Sequence, residues 1–326
     1  MSGLPTLADV VAAAQRIRPY IHRTPVFTSA YLDAQTGARV FLKAENLQKV
    51  GAFKARGATN AVLSLTIEEA ERGVVTHSSG NHGQAIAYAC SIRSIPATVV
   101  MPEAAQAPKI DAVRGYGATV VFCPQADRER TVQGLIEDNG FTEIHPFDNP
   151  VVIAGQATAT LELVDQTSAL DVVIAPIGGG GLLSGASIVA SNSGIEVVGA
   201  EPEVVDDSYR SLRDGVRYQA TGAMSVADGL LTGIGAIPFQ ILKERDVTVL
   251  TVSECEILSA MRAIGERMKL VVEPSGATAL AVLLRYPEPF AGKNVGLILS
   301  GGNVALDLFA TTNPTTDRAT QSSRDS

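Results

Sequence analysis

Apolar positions along the 326-residue chain follow two alternating rhythms. Short unbroken runs rich in β-branched residues read as buried strands, and longer stretches with apolar positions three and four apart read as helices. The spacing predicts a helix over Leu7–Ile17, stopped before Pro19, and a strand over Arg39–Ala44. Beyond the loop 48–54 the order is helix Ala55–Leu65, strand Gly73–His77, helix Asn81–Arg93, strand Ala97–Met101, helix Ala105–Gly115, strand Thr119–Cys123 and helix Asp127–Asn139. A short apolar segment, Ile144–Phe147, precedes a helix over Val151–Asp165. The strand Asp171–Ile177 then runs into four consecutive glycines and a helix, followed by strand Ile195–Ala200. Strand Val247–Val252, helices Glu254–Met268 and Ser275–Arg285 and strand Val295–Leu299 complete the series, and the polar run Thr311–Ser326 reads as a disordered tail.

Repeated strand–helix units predict an α/β fold with mostly parallel sheets covered by helices and joined by right-handed crossovers. Ligands of such sheets sit beyond the carboxyl ends of the strands. Three short units within 73–147 predict a small domain, inserted into a larger one formed by residues 1–72 and 148–310.

Composition narrows the picture. The chain is 46% hydrophobic with 30 glycines, which suits a large core and many tight turns, and its net charge of −8 with no basic patch argues against nucleic acid as a partner. The three cysteines, Cys90, Cys123 and Cys255, stand far apart, as expected for reduced thiols in the cytoplasm. Val172–Ile195 is uncharged and long enough to span a bilayer, but its glycines, serines and Pro176 favour a strand–loop–helix, so no membrane partner is expected.

The glycine run Gly178–Gly181, with Leu182 behind it, offers free backbone N–H groups at a helix start, which suits a phosphate. It lacks the Gly-Lys-Ser/Thr ending of a P-loop and the spacing of a dinucleotide fingerprint. A bulky side chain at Gly179 or Gly180 is expected to intrude where the phosphate approaches. The other reading of the run is a packing turn. In GAFKARGA (51–58) a lysine sits between Phe53 and Arg56 at a loop-to-helix junction, where a lysine of lowered pKa forms Schiff bases; a solvated first-turn lysine is the alternative. HSSGNHGQ (77–84) follows a strand and opens a helix, so it is a carboxylate cradle, a helix cap at Ser79 or Asn81, or both. SGGN (300–303) places a hydroxyl at a strand's carboxyl end, or is a turn with Asn303 as a cap. Glu201 and Asp207, with Asp206, suit a hard cation, or form a solvated acidic loop. Arg128 and Arg130 follow the strand Thr119–Cys123. They are candidates for a second substrate carboxylate, with at least one expected to be an exposed helix-start charge.

Taken together and in this order, GAFKARGA (51–58), SSGNHGQA (78–85), GGGGLLSG (178–185), AEP (200–202), ADG (227–229), ERMKLVVEPSG (266–276) and SGGN (300–303) carry a resemblance. Over about residues 6–309 the sequence resembles the serine/threonine dehydratase and serine racemase branch of the fold-type II pyridoxal-phosphate enzymes. It is also similar to 3-hydroxyaspartate dehydratases. The resemblance implies a two-domain, tryptophan synthase β-like α/β fold and pyridoxal 5′-phosphate as cofactor. It implies that Lys54 carries the cofactor as its internal aldimine and acts as catalytic base, with Phe53 under the ring and Asn81 at the 3′-oxygen. Gly178, Gly179, Gly180, Gly181 and Leu182 would hold the phosphate, and Ser300 would meet the pyridine nitrogen. Ser78, Ser79, Gly80, Asn81, His82 and Arg130 would bind the substrate, with Ser79 as the second catalytic residue, opposite Lys54. Glu201, Asp207 and the carbonyl of Val205 would bind Mg²⁺ or another divalent cation. The implied activity is elimination of water from L-serine or L-threonine to give a 2-oxo acid and ammonia, with serine racemisation or 3-hydroxyaspartate dehydration as alternatives, in a cytoplasmic homodimer.

Overall fold

Among the described residues, ten strands form two sheets. A computed structural model describes residues 3–308 apart from Ser79, Gln106, Ser168, Asn192 and Asp307. The expected tail 311–326 lies outside the described residues. The strands are β1 (Val26–Thr28), β2 (Arg39–Ala44), β3 (Val74–His77), β4 (Ala97–Pro102), β5 (Thr119–Cys123), β6 (Thr142–Glu143), β7 (Val172–Pro176), β8 (Glu196–Pro202), β9 (Thr248–Val252) and β10 (Asn294–Leu299). The larger sheet has the order β1-β2-β10-β7-β8-β9 and the smaller β5-β4-β3-β6. All pairings are parallel except β1 with β2.

This is the α/β class that the alternating pattern predicts. β7 (VVIAP) is buried at every position, as a strand covered on both faces must be. Leu7–Ile17 starts at a Thr6–Asp9 capping box and buries Val10, Ala13 and Ile17 on one face, a complete local signal for a helix. The elements that escape the pattern include β1, a three-residue, partly exposed edge strand, and the short helices Ala30–Thr36, Ile67–Arg72, Asp207–Asp214 and Ala236–Glu244. The helix expected over Glu254–Met268 is α-helical only to Ala263. It loosens to a π turn at Ile264–Met268 and stops at Lys269, which has φ of 61°.

The smaller sheet draws all four strands from 74–143, and we propose 73–147 as a small domain on that basis. Its apolar cluster also takes in Ala58, Ala61, Val62 and Val152, so the large unit's helices pack directly onto it. The central strands β7 and β10 are neighbours in parallel register, which brings the glycine run after β7 and Ser300 after β10 to the same edge. The carboxyl end of β3, with His77 and Ser78, lines the same cleft.

Candidate active site

One cleft gathers Phe53, Lys54, Ser78, Gly80, Asn81, His82, Gly178, Gly179, Gly180, Gly181, Leu182 and Ser300. These are the residues that the sequence singles out for cofactor and substrate, less two. Ser79 lies outside the described residues. Arg130 is turned to solvent, its side chain 82% exposed and 3.1 Å from Asp127 one turn away, while Arg128 lines the cleft. The helix-start geometry decides this, because successive helical side chains point about 100° apart.

Lys54 opens the helix Lys54–Leu63. Its Nζ donates to the carbonyl of Pro146 at 2.9 Å and lies 5.2 Å from the Phe53 ring centroid. Burial pushes its pKa down from the usual lysine value to about 8. The neighbouring arginine of the motif has a different task. Arg56 is fully buried, and its charge is taken by Glu45 (Nε–Oε2 2.7 Å) and Glu162 (Nη2–Oε2 2.8 Å); Lys43 joins at 2.7 Å from Glu162. This buried network fixes the start of the helix that carries Lys54.

The helix Gly181–Ala190 begins at the glycine run without a capping side chain and without an acid in its first turn. Its first N–H groups have no intrahelical acceptor, so this end is a fixed anion cradle lining the cleft. Gly180 sits at φ of 87°, where a side chain is strained. The expectation that a side chain here would strike the ligand needs correction. A Cβ on Gly179 would lie 2.2 Å from Cγ of Phe147, and one on Gly180 would lie 2.7 Å from Cβ of Pro238. The run packs against its own protein, so the obstacle to larger residues is the loop behind it.

Asn81 is the first helical residue, not a cap. Its Nδ2 donates to Glu273 Oε1 at 2.8 Å and its Oδ1 accepts from Asn303 Nδ2 at 2.8 Å. Asn303 also donates its backbone N–H to Glu273 Oε2 at 3.2 Å, so it ties the last loop to the cleft where a helix cap was the alternative reading. Burial raises Glu273 to about 7. In the loop before the helix Asn81–Arg93, Ser78 Oγ accepts from the N–H of Gly80 at 3.2 Å. His82 is fully enclosed, and burial holds its pKa well below the usual value, so the ring is neutral.

The sequence reading missed the segment 145–149, whose start lay under the expected apolar segment Ile144–Phe147; only Thr142–Glu143 is strand. His145 Nδ1 accepts from the N–H of Asp148 at 2.9 Å and of Phe147 at 3.4 Å. Pro146 holds Lys54, Phe147 lies against Gly179, and Asp148 accepts from the N–H groups of Ala236 and Ile237 at 2.9 and 2.8 Å. Asn149 caps the helix Pro150–Gln166. The Asn-Pro pair was a legible helix start; the rest depends on contacts remote in sequence. Glu273, Lys109 and Asp228 also line the cleft and were not singled out.

Glu201 and Asp207 are each 1% exposed, so a solvated acidic loop is ruled out. Glu201 accepts from the N–H groups of Ser208 (2.9 Å) and Tyr209 (2.7 Å), while Asp207 Oδ2 is buried with no hydrogen-bond partner. Burial raises Glu201 to about 8 and Asp207 to about 6. Among the described residues no cluster of three or more His, Cys, Asp or Glu side chains is placed to hold a metal. Val205 closes the short turn Glu203–Val205 between the two carboxylates.

Comparison with known proteins gives a consistent result. The sequence model of a family described as “Pyridoxal-phosphate dependent enzyme” matches residues 17–301. The chain is 49% identical to the serine racemase of Dictyostelium discoideum over 92% of its length and 95% of that protein's. It is 46% identical to the beta-hydroxyaspartate dehydratase of Paracoccus denitrificans (strain Pd 1222), covering 93% and 98%. The crystal structure of the T.th. threonine deaminase superposes with a TM-score of 0.88 at 44% identity, over 93% of this chain and 99% of that one.

Proposed function

Since the chain belongs to the family of pyridoxal-phosphate-dependent enzymes, we propose that it eliminates water from a 3-hydroxy amino acid of the L-serine or L-threonine type, releasing a 2-oxo acid and ammonia. The observation that carries this reading is the meeting of Lys54, the uncapped glycine helix start and Ser300 in one cleft. A lysine, an anion cradle and a hydroxyl at a strand's end are the donor set that pyridoxal phosphate requires: covalent attachment, phosphate contact and a partner for the ring nitrogen.

When bound, pyridoxal phosphate supplies an electron sink for the pair released at the substrate Cα. The chain's residues supply the rest. The N–H groups of Gly178–Gly181 and Leu182 would receive the phosphate, Phe53 would pack against the ring, and Asn81 would hydrogen-bond the 3′-oxygen. Ser300 would meet the ring nitrogen with a neutral hydroxyl, which would make the ring a weaker electron sink and favour prompt loss of the β-hydroxyl. Ser78, Gly80, Asn81 and His82 hold the substrate's α-carboxylate at the start of the helix Asn81–Arg93. Lys54 removes the Cα proton; burial lowers its pKa to about 8, so more of the amine is neutral than in an ordinary lysine, and the Pro146 carbonyl orients it.

Serine racemisation is the second reading, supported by the 49% relative. It requires a proton donor on the opposite face, the role assigned to Ser79. We also assign Glu201, Asp207 and the Val205 carbonyl to a divalent cation such as Mg²⁺, supported by the unpartnered Asp207 Oδ2. A cytoplasmic homodimer acting on a small amino acid completes the reading. The three free cysteines support the compartment, and the resemblance supports the dimer.

The test is to load the purified protein with pyridoxal phosphate and supply L-serine, L-threonine and L-threo-3-hydroxyaspartate. Stoichiometric 2-oxo acid and ammonia support elimination, and D-serine without pyruvate supports racemisation. Neither product from any of the three would overturn the reading.

A further inference from the structure

The helix Pro150–Gln166 contributes no side chain to the cleft, yet every residue from Val152 to Thr160 is buried. It runs between the two helices that begin in the cleft, Lys54–Leu63 and Gly181–Ala190. Gly155 faces the first of them. A Cβ there would lie 2.6 Å from Cα of Gly57 and 2.8 Å from the carbonyl oxygen of Arg56. Ala157 faces the second, since a Cβ on Gly185 would lie 2.7 Å from the Ala157 backbone nitrogen. Residues two apart on a helix point about 200° apart, so these contacts lie on opposite faces. Glycine inside a helix is otherwise unfavourable, and each of these glycines sits where the backbone of a neighbouring helix comes into contact.

A polar contact reinforces the first face. Gln156 is 1% exposed, and its Oε1 accepts the N–H of Gly57 at 3.1 Å, while its Nε2 is buried with no hydrogen-bond partner among the described residues. A buried donor left unpaired is costly, so packing alone does not account for a glutamine where an apolar chain of similar volume would fit. Arg56, in the same turn as Gly57, reaches Thr158 and Glu162 of this helix at 3.2 and 2.9 Å. Both faces act close to the working ends. Gly57 lies about 4.5 Å along its helix from Lys54, and Gly185 about 6 Å along its helix from Gly181. Displacing either helix at its contact therefore displaces the amine or the phosphate cradle.

We infer that Gly155, Gln156 and Ala157 form a spacer that sets the distance between Lys54 and the phosphate cradle, matching it to the length of pyridoxal phosphate. The inference rests on the cofactor reading above and deepens it. These are positioning residues that touch neither cofactor nor substrate, and their effect is on joining. A ligand held at two ends gains over its separate halves only when both ends reach their sites at once. A wrong spacing leaves each half-site intact and removes that gain.

The test measures the affinity of the full chain, cleared of cofactor, for inorganic phosphate, pyridoxal and pyridoxal phosphate. Pyridoxal carries the aldehyde that condenses with the Lys54 amine, releasing water, and lacks the phosphate. Absorbance of the lysine-bound aldehyde reads the two aldehydes, and competition against pyridoxal phosphate reads phosphate. The joining gain is the association constant of pyridoxal phosphate divided by the product of the other two. In Gly155→Ala and in Gly185→Ala the gain should fall about 10-fold or more, while phosphate and pyridoxal each stay within about threefold of wild type. Gln156→Met keeps the volume and loses the acceptor, so it should act in the same direction and decides the matter if the glycine variants do not fold. Ile257→Ala, in the core away from the spacer, should lower the melting temperature and leave the gain unchanged. An unchanged gain in the spacer variants overturns the proposal. So does an equal loss in Ile257→Ala, which would make the gain a matter of stability, and so does a fall in phosphate or pyridoxal affinity as large as that for the whole cofactor. A wild type with the joining gain, spacer variants without it and no 2-oxo acid from any of the three amino acids would overturn the elimination reading and leave the spacer standing.

Discussion

At the scale of single residues, environment sets the chemistry more than residue type does. Lys54 is depressed to about 8 by burial alone, since the arginine two positions on has its charge consumed by Glu45 and Glu162. Only the neutral amine accepts a proton, so kcat should climb with pH through a limb near 8, and Lys54→Ala should lose both turnover and the absorbance of lysine-bound cofactor. A flat profile from pH 6 to 10, or normal turnover in the variant, would remove Lys54 from the reaction. Gly179 makes a different prediction. Gly179→Ala overpacks against Phe147, which costs about 1–3 kcal/mol, and adding Phe147→Ala should restore part of the loss because it vacates the same space. Denaturant melts of the single and double variants measure the coupling, and strict additivity would refute the clash. Lys54 was legible because its motif is local. Glu273 was not, because its partners Asn81 and Asn303 lie far away in sequence and only the fold assembles them.

At the scale of elements, the segment 145–149 is the joint between Lys54, the glycine run and two helices. Asp148→Ala removes the acceptor for two N–H groups at the start of the helix Ala236–Glu244, and a loss of about 0.5–2 kcal/mol is expected in urea melts. His145 adds a pH dependence. Burial, with a smaller push from His77, depresses its pKa to about 4, and Nδ1 accepts a backbone N–H, a role that a proton there would end. A base whose pKa is lower folded than unfolded contributes stability above its ordinary value, about 6.5, and loses it as pH falls towards 4. The stability difference between wild type and His145→Asn should therefore shrink as pH falls across that window. The total slope also carries His77 and His82, which burial depresses in the same direction, and Glu201, Asp207 and Glu273, whose raised pKa values act in the opposite direction. An unchanged difference would show that His145 does not gate the joint. The element pattern was legible wherever caps and periodicity agree, as in Leu7–Ile17. It failed for Ala236–Glu244, whose start is capped by a carboxylate 88 positions away.

At the scale of the whole molecule, the two sheets and their parallel order were implied by the repeated strand–helix units, whereas the antiparallel edge strand β1 was not. No helix among the described residues is long and apolar enough to cross a membrane. The buried pair Glu201 and Asp207 predicts that a divalent cation stabilises the entire fold. A cation binding only the native state at a hundredfold excess over its Kd adds about 2.7 kcal/mol, so melting should shift upward with Mg²⁺ and downward with chelator, and Glu201→Gln/Asp207→Asn should abolish the shift. Equal shifts in that double variant would place the cation elsewhere.

The order of strands also bears on how the chain is made. β10 lies between β2 and β7, so two strands separated by more than a hundred residues wait for a third that is synthesised after both. A growing chain can assemble the smaller sheet from one contiguous stretch, since all its strands lie between Val74 and Glu143. The edge of β7 that β10 will cover, and the glycine run beyond it, stay without their neighbour until Leu299 has left the ribosome. Exposed strand edges invite aggregation, so the interval between translation of Pro176 and of Leu299 is where this protein most needs a chaperone, and a stalled nascent chain of that length should bind one more tightly than a chain released after residue 308.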